Sequence, residues 1–287
     1  LGIQDALTSP TYALEQRYQT AAHGELLHLD LYRMNERAAS ELIASTEEYE
    51  GIRCVEWPER LPAYFNNTPH LSIFLKEEKE GRSLTIVDHD ARIPDDTLID
   101  AWRNDVLLPS HISAHCDTVT SVAVTCGEAI QQQGRIVRID ALRAAARVHD
   151  LLRFVDFKAA SPHDFHTSKD QEKKWNTFKS MYANMSHEKA CASFLREVGF
   201  DVIATIVETH GLQESDVHPP TTIEQKILFY ADKRVALENI VSLDERFADF
   251  AERYKGNAAK NDQKKWLILA KNIENELFPN GAPDLQS

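Results

Sequence analysis

Ala141-Leu-Arg-Ala-Ala-Ala-Arg-Val-His-Asp-Leu-Leu-Arg153 is the stretch on which the fold of this chain turns. Alanine, leucine and arginine are strong helix formers, and the spacing predicts a helix over Ile139 to Phe154. His149-Asp150 falls near its end. Neighbouring side chains on a helix point about 100° apart, so adjacent His and Asp reach one ion only at a helix end or bend. Such groups inside an apolar helix cost free energy unless paired or metal-bound. Neutral imidazole and carboxylate together suit divalent transition ions. One His-Asp pair is a weak signal, and the chain carries a second, His163-Asp164. That pair follows Pro162 in a polar stretch with no apolar helix to hold it, so the bland reading is preferred there.

The first pair has partners. His115 begins an apolar stripe through Val119, Val122, Ala123 and Cys126. His187 opens the helix expected over His187 to Glu197, and His210 closes the one expected over Val202 to Thr209. Asp232 is embedded in Lys226-Ile-Leu-Phe-Tyr-Ala-Asp-Lys233, within a helix expected over Thr222 to Leu243. Further helices are expected over Ser121 to Gln132 and, amphipathically, over Asn261 to Leu277. No strand grammar is visible in residues 106–255. The polar stretch from Ala159 to Lys179 is too long for an ordinary connector and reads as a lid or loop. For any one of these residues, a satisfied core histidine or a salt-bridged aspartate is as good a reading as a ligand. For the ordered set it is much poorer.

That order, His115, His149-Asp150, His187, His210, Asp232, resembles the HD phosphohydrolase superfamily, and within it the YqeK-like branch, which binds two metals and cleaves a dinucleoside polyphosphate. The resemblance covers about Asn104 to Tyr254. It implies an all-α domain over 104–287 with metal ligands His115, His149, Asp150, His187, His210 and Asp232. It also implies one or two divalent transition ions: iron, manganese, cobalt or zinc. Bound metal would supply hydroxide from water at neutral pH, with Asp150 able to bridge two ions. Arg153 stands where the family often has lysine and would offer a bidentate fork to phosphate. Glu188, Lys189 or a residue of the polar insertion would protonate or position the leaving oxygen; the sequence does not choose among them.

Residues 1–103 have another grammar. Glu25-Leu-Leu-His-Leu-Asp-Leu-Tyr32 and Gly51-Ile-Arg-Cys-Val-Glu-Trp57 read as strands, and Ala38 to Tyr49 as a helix between them,. His70-Leu-Ser-Ile-Phe-Leu-Lys76 and Arg82-Ser-Leu-Thr-Ile-Val-Asp88 read as a hairpin around the polar turn Glu77 to Gly81. Asp30 and Glu56 lie at strand ends, where acids most simply cap and solvate. Leu1-Gly-Ile3, Thr8-Ser-Pro-Thr11, His28 to Arg33, Glu41-Leu42, Glu56-Trp-Pro-Glu59 and Glu80-Gly-Arg82 together resemble TsaE, an ATPase family that assists synthesis of threonylcarbamoyladenosine on tRNA. The resemblance covers about Leu1 to Asp88. It implies an incomplete P-loop-type α/β sheet in which Thr11, Asp30 and Glu56 are the nucleotide- and magnesium-side residues. No GxxxxGK[ST] occurs in the sequence, so no phosphate cradle is encoded here. ATP and magnesium are expected in this half only if such a loop precedes residue 1.

Composition sets the outer bounds. A chain of 287 residues with 43% apolar residues is long enough for two domains with proper cores,. The four cysteines have no CxxC spacing, which points to reduced thiols in a cytoplasm,. No signal peptide or membrane span is expected. The net charge of −13 disfavours strong nucleic-acid binding by this chain alone,. Two readings of function remain open. One is a phosphohydrolase of a nucleotide: AMP-like, N6-modified AMP, threonylcarbamoyl-adenylate or a dinucleoside polyphosphate. The other is a TsaE-like adaptor of the tRNA-modification proteins whose helical half only senses nucleotide.

Overall fold

The computed structural model describes residues 2–21, 24–65, 68, 70–89, 92–157, 167–211, 219–253 and 260–285. The chain divides into two units, Leu1–Asp90 and Ala91–Ser287. The break lies earlier than the boundary expected at 103/104. The reason is the helix Asp96–Asp105, whose Ile99 is fully buried in the core of the second unit.

In the first unit, β1 (Glu15–Gln19) pairs antiparallel with β2 (Glu25–Asp30), and β2 pairs parallel with β3 (Ile52–Glu56), setting Asp30 opposite Glu56. The helix α1 (Glu36–Ala44) makes the crossover, and the Asn35 side chain caps its start by accepting from Ala38 N at 3.0 Å,. Leu27, Leu29 and Leu31 of the alternating strand pack on Ala39 and Ile43 of α1 and on Leu61. A 3-10 turn (Pro58–Arg60) and the short α2 (Pro62–Phe65) follow. The hairpin of β4 (Leu71–Glu78) and β5 (Gly81–Asp88) forms a separate sheet, with a turn tighter than expected.

The second unit is helical. It comprises α3 (Asp96–Asp105), α4 (Ser110–Gln132), α5 (Ile139–Val148), a 3-10 turn (Arg153–Asp156), α6 (Lys169–Met181), α7 (His187–Glu197), α8 (Asp201–Val207) and α9 (Ile223–Lys233). The minimal hairpin β6 (Val235–Ala236) and β7 (Asn239–Ile240), then α10 (Leu243–Arg253) and α11 (Lys260–Leu277), complete it. Among the described residues, no helix is long and apolar enough to cross a membrane. The long α4 is the centre: Cys116, Val119, Ala123, Cys126 and Ile130 form a buried stripe facing α5 and α9,. On α11, Ala270, Ile273 and Leu277 are buried as the sequence pattern requires.

Other expectations fail as well. The helix expected from Ser121 begins at Ser110, and the one expected over Ala38 to Tyr49 spans Glu36–Ala44. The helix α5 ends at Val148 rather than Phe154. His149 turns its ring back so that Nδ1 donates to Ala146 O at 2.8 Å, taking a carbonyl that a continuing helix would need,. The helix read through to Leu243 stops at Lys233, and the β6–β7 hairpin intervenes with Leu237 at φ 57°. The polar stretch is in part helix: α6 docks through Trp175, which stacks on Phe154 with ring centroids 5.0 Å apart and donates from Nε1 to Val106 O at 3.0 Å. His163-Asp164 lies outside the described residues.

Candidate metal centre

Helix ends make this site. The last carbonyls of α5 and α8 have no partners within their helices. His149 and His210, one to three residues beyond the last helical residue, supply donors: His149 Nδ1 to Ala146 O, and His210 Nδ1 to Val207 O at 2.6 Å. A carbonyl only accepts, so each Nδ1 carries the hydrogen and each Nε2 turns inward. His115, in the second turn of α4, is fixed likewise, with Nδ1 donating to Leu237 O at the tip of the β6–β7 hairpin, 2.8 Å away. Imidazoles whose outer nitrogen is tied this way are arranged as metal-ligating histidines usually are. Both His149 Nε2 and His210 Nε2 are buried without a hydrogen-bond partner among the described residues. A buried polar atom left so is costly unless something else meets it.

The carboxylates stand opposite these nitrogens. Asp232 Oδ1 is 3.1 Å from His115 Nε2 and 3.7 Å from His149 Nε2. Asp150 Oδ1 is 3.1 Å from His187 Nε2 and 3.6 Å from His210 Nε2, while its Oδ2 is 3.9 Å from His149 Nε2. Two ligands each about 2.0–2.2 Å from one ion stand roughly 3–4 Å apart, so these separations fit ligands of a common cation. Among the described residues, three groups have ligand atoms within 4.8 Å of one another: His115, His149 and Asp232; His149, Asp150 and His210; His187, Glu188 and His210. The structure therefore brings together all six residues read as ligands from the sequence, and adds Glu188.

Burial opposes the charge on Asp150, yet His149, His187 and His210 hold its carboxyl well below the usual range. Burial likewise opposes the charge on Asp232, and Lys233, His115 and His149 overcome it. Burial and the Arg153 guanidinium work against a charged His187, but Glu188, Asp150 and Asp156 raise its pKa. His149 is held well above the ordinary value against its burial by Cys116, Asp150 and Asp232. His210 is lowered, chiefly by burial.

Arg153 reaches the cluster. It opens the 3-10 turn after α5 has ended, and Nη1 lies 2.6 Å from His187 Nδ1 and 3.4 Å from Asp156 Oδ2. Lys189 is half-buried on α7, and its side chain makes no hydrogen bond or ion pair among the described residues. Two partners were missed in the sequence. Asp156 Oδ2 accepts from His187 Nδ1 at 2.5 Å. Lys233, 3% exposed, donates to Asp232 Oδ2 and to His210 O at 2.9 Å. The signal for Lys233 was a second charge directly after Asp232 in an apolar run.

In the first unit, Thr11 Oγ1 donates to Asp30 Oδ2 at 2.7 Å, and Tyr32 N donates to Asp30 Oδ1 at 2.7 Å. Glu56 Oε1 sits 2.8 Å from His28 Nε2. Thr11, Asp30 and Glu56 thus gather at the C-terminal ends of two parallel strands, each with a protein partner.

The chain comprises a small mixed-sheet unit and, after it in sequence, a helical unit that carries an inward cluster of histidines and carboxylates. Residues 1–84 match the family described as threonylcarbamoyl adenosine biosynthesis protein TsaE. The tRNA threonylcarbamoyladenosine biosynthesis protein TsaE of Synechocystis sp. is 42% identical over 67 residues, covering 22% of this chain and 42% of the relative. Its Aquifex aeolicus counterpart is 46% identical over 55 residues, covering 19% of this chain and 37% of the relative. The chain thus spans about two fifths of the length of the curated relatives it matches. No solved structure gives a significant match.

Proposed function

We propose that the helical unit is a metal-dependent phosphohydrolase of the HD type, acting on a nucleotide phosphate ester or anhydride. The carrying observation is the pair of buried, unpartnered Nε2 atoms of His149 and His210, each oriented by a carbonyl behind it and facing anionic Asp150. His115, His149 and Asp232 would hold one divalent ion and His187 with His210 a second, with Asp150 between them. Bound there, such ions lower the pKa of water toward neutrality and offset charge on phosphoryl oxygens. The chain's own residues do the rest. Asp150 orients the attacking water from between the two sets. Asp156 holds the His187 ring through Nδ1. Arg153, one-third exposed at the rim, binds a phosphoryl oxygen and keeps it against the cluster,.

The match over residues 1–84 supports a link to threonylcarbamoyladenosine metabolism, with tRNA-modification proteins as partners of the first unit. AMP, an N6-modified AMP or threonylcarbamoyl-adenylate are then the substrates to try first. The same match favours the second reading, an adaptor whose helical unit senses nucleotide. Metal content and hydrolysis, read as phosphate release from AMP or N6-modified AMP and as AMP release from threonylcarbamoyl-adenylate, measured together on wild type and Asp150→Ala, separate the two. Hydrolysis lost together with metal supports the enzyme; nucleotide binding without turnover supports the sensor. Full turnover by metal-free protein would end the proposal.

A further inference from the structure

Glu188 is the one carboxylate of the cluster whose place follows from neither the His-Asp pair nor Asp232. It is 4% exposed, on the first turn of α7. Its Oε2 lies 3.3 Å from His187 Nδ1. Its other oxygen fills the space beside Gly211, so closely that a Cβ on residue 211 would overlap the carboxylate. The side chain therefore wedges between the His187 ring and the segment that carries His210. The simplest role would be to accept the Nδ1 hydrogen of His187. That nitrogen bears one hydrogen, and Asp156 Oδ2 already takes it at 2.5 Å. Near Glu188 stands His210 Nε2, on a residue 2% exposed and without a hydrogen-bond partner among the described residues. The ligand atoms of Glu188, His187 and His210 lie within 4.8 Å of one another.

We propose that Glu188 is a metal ligand, completing with His187 and His210 a second cation position beside the one formed by His115, His149 and Asp232. This rests on the metal reading above and deepens it. With Asp150 shared, the second position has two nitrogen and two carboxylate ligands. Its carboxylate share makes it the harder site, the better suited to manganese. Gly211 belongs to the same device, because only a residue without Cβ leaves room for the carboxylate.

The test is equilibrium binding of Mn2+ alone to the full chain, with bound metal per chain measured after dialysis and affinities by titration. Wild type is expected to bind two ions. Glu188→Gln should keep one and weaken the other by more than about a hundredfold, beyond the ten- to hundredfold typical of losing an outer hydrogen-bond partner. Gly211→Ala should reproduce the loss without altering any ligand. Circular dichroism of each variant checks folding, and either folded variant suffices for the comparison. Two unchanged affinities in a folded variant overturn the proposal, and so does a weakening of only ten- to hundredfold, which would make Glu188 an outer support. A single ion in wild type also overturns it and leaves the hydrolase reading standing. No ion in wild type removes both.

Discussion

Replacing Lys233 with methionine keeps most of the buried stem and removes only the ammonium. Its Nζ donates to Asp232 Oδ2 and to His210 O at 2.9 Å, and the residue is 3% exposed. Without it, Asp232 is a buried anion missing a counter-charge, and the His210 carbonyl loses its donor. Breaking a buried ion pair by removing one partner costs about 3–5 kcal/mol. For a unit of this size each kcal/mol moves Tm by roughly 2–4 °C, so the metal-free variant should melt about 6–20 °C below wild type. A divalent ion on Asp232 Oδ1 would restore the missing positive charge, so the deficit should shrink when Mn2+ is saturating. Asp232 also gives a sign to follow in acid. Its folded pKa lies well below the unfolded carboxyl value of about 3.9,. The stability it contributes is therefore present above that unfolded value and lost as pH falls through the folded one. Lys233→Met raises the folded pKa and should reduce that contribution. The assay is thermal unfolding by circular dichroism in chelator and in Mn2+, at neutral and acid pH. A variant that melts within about 2 °C of wild type in chelator would refute the buried pair.

The metal-free protein should lose stability as pH rises through the raised folded values of His149 and His187, since that contribution is full only below their unfolded pKa of about 6.5,. The stabilisation by added metal should instead grow with pH, because ligation needs deprotonated rings; parallel melting curves against pH check both signs. Arg103→Met removes the guanidinium that donates to Asp117 at 2.8 Å and to Arg147 O at 2.7 Å, at the end of α5. It should cost about 1.5–3 kcal/mol, read as a lower denaturant midpoint at unchanged slope. Asp156→Asn should weaken one metal affinity ten- to hundredfold and spare the other, by titration. Arg153→Ala should lower kcat/KM by about ten- to a hundredfold at full metal occupancy, with lysine a partial rescue; unchanged kinetics would leave Arg153 as a structural neighbour of Asp156 and His187.

What the sequence revealed of the fold tracks how strongly burial is written into it. The alternating leucines of β2 and the hairpin of β4 and β5 are legible because period two is plain there,. The helix α7 has the bounds its pattern implies, from His187 to Glu197. Missing from the reading is β1, Glu15-Gln-Arg-Tyr-Gln19, an edge strand that buries only Tyr18 and so has no apolar alternation to detect,. Hidden for the same reason is α6, which buries Trp175 and Phe178 and leaves its other positions to solvent or half-covered. The end of α5 was overrun because Leu151 and Leu152 continue the apolar run. Both are fully buried, although the backbone there has already left the helix.

The site followed a different logic. Its six ligand-type residues could be picked from the sequence one by one, since each is a polar residue on or beside an apolar helix. Their pairing could not, because His115 and Asp232 meet across 117 positions of sequence. The other gap was at the neighbours of ligands. In mid-helix, residue i+1 points about 100° away from residue i, so Lys233 after Asp232 is not marked as a neighbour of the cluster, and Glu188 after His187 is legible only as a group for the leaving oxygen and not as a neighbour of the metal-type rings. Both pairs lie in a terminal turn, of α7 and α9, and both second residues are buried. At a helix end the next segment packs over a face that would otherwise be open: Gly211 lies against Glu188, and the His210 carbonyl accepts from Lys233. The His210–Gly211 segment thus meets both an anion and a cation that the helical period hides. A terminal turn covered by an incoming loop is where charged neighbours of a ligand should be sought, before a periodicity argument assigns them to solvent.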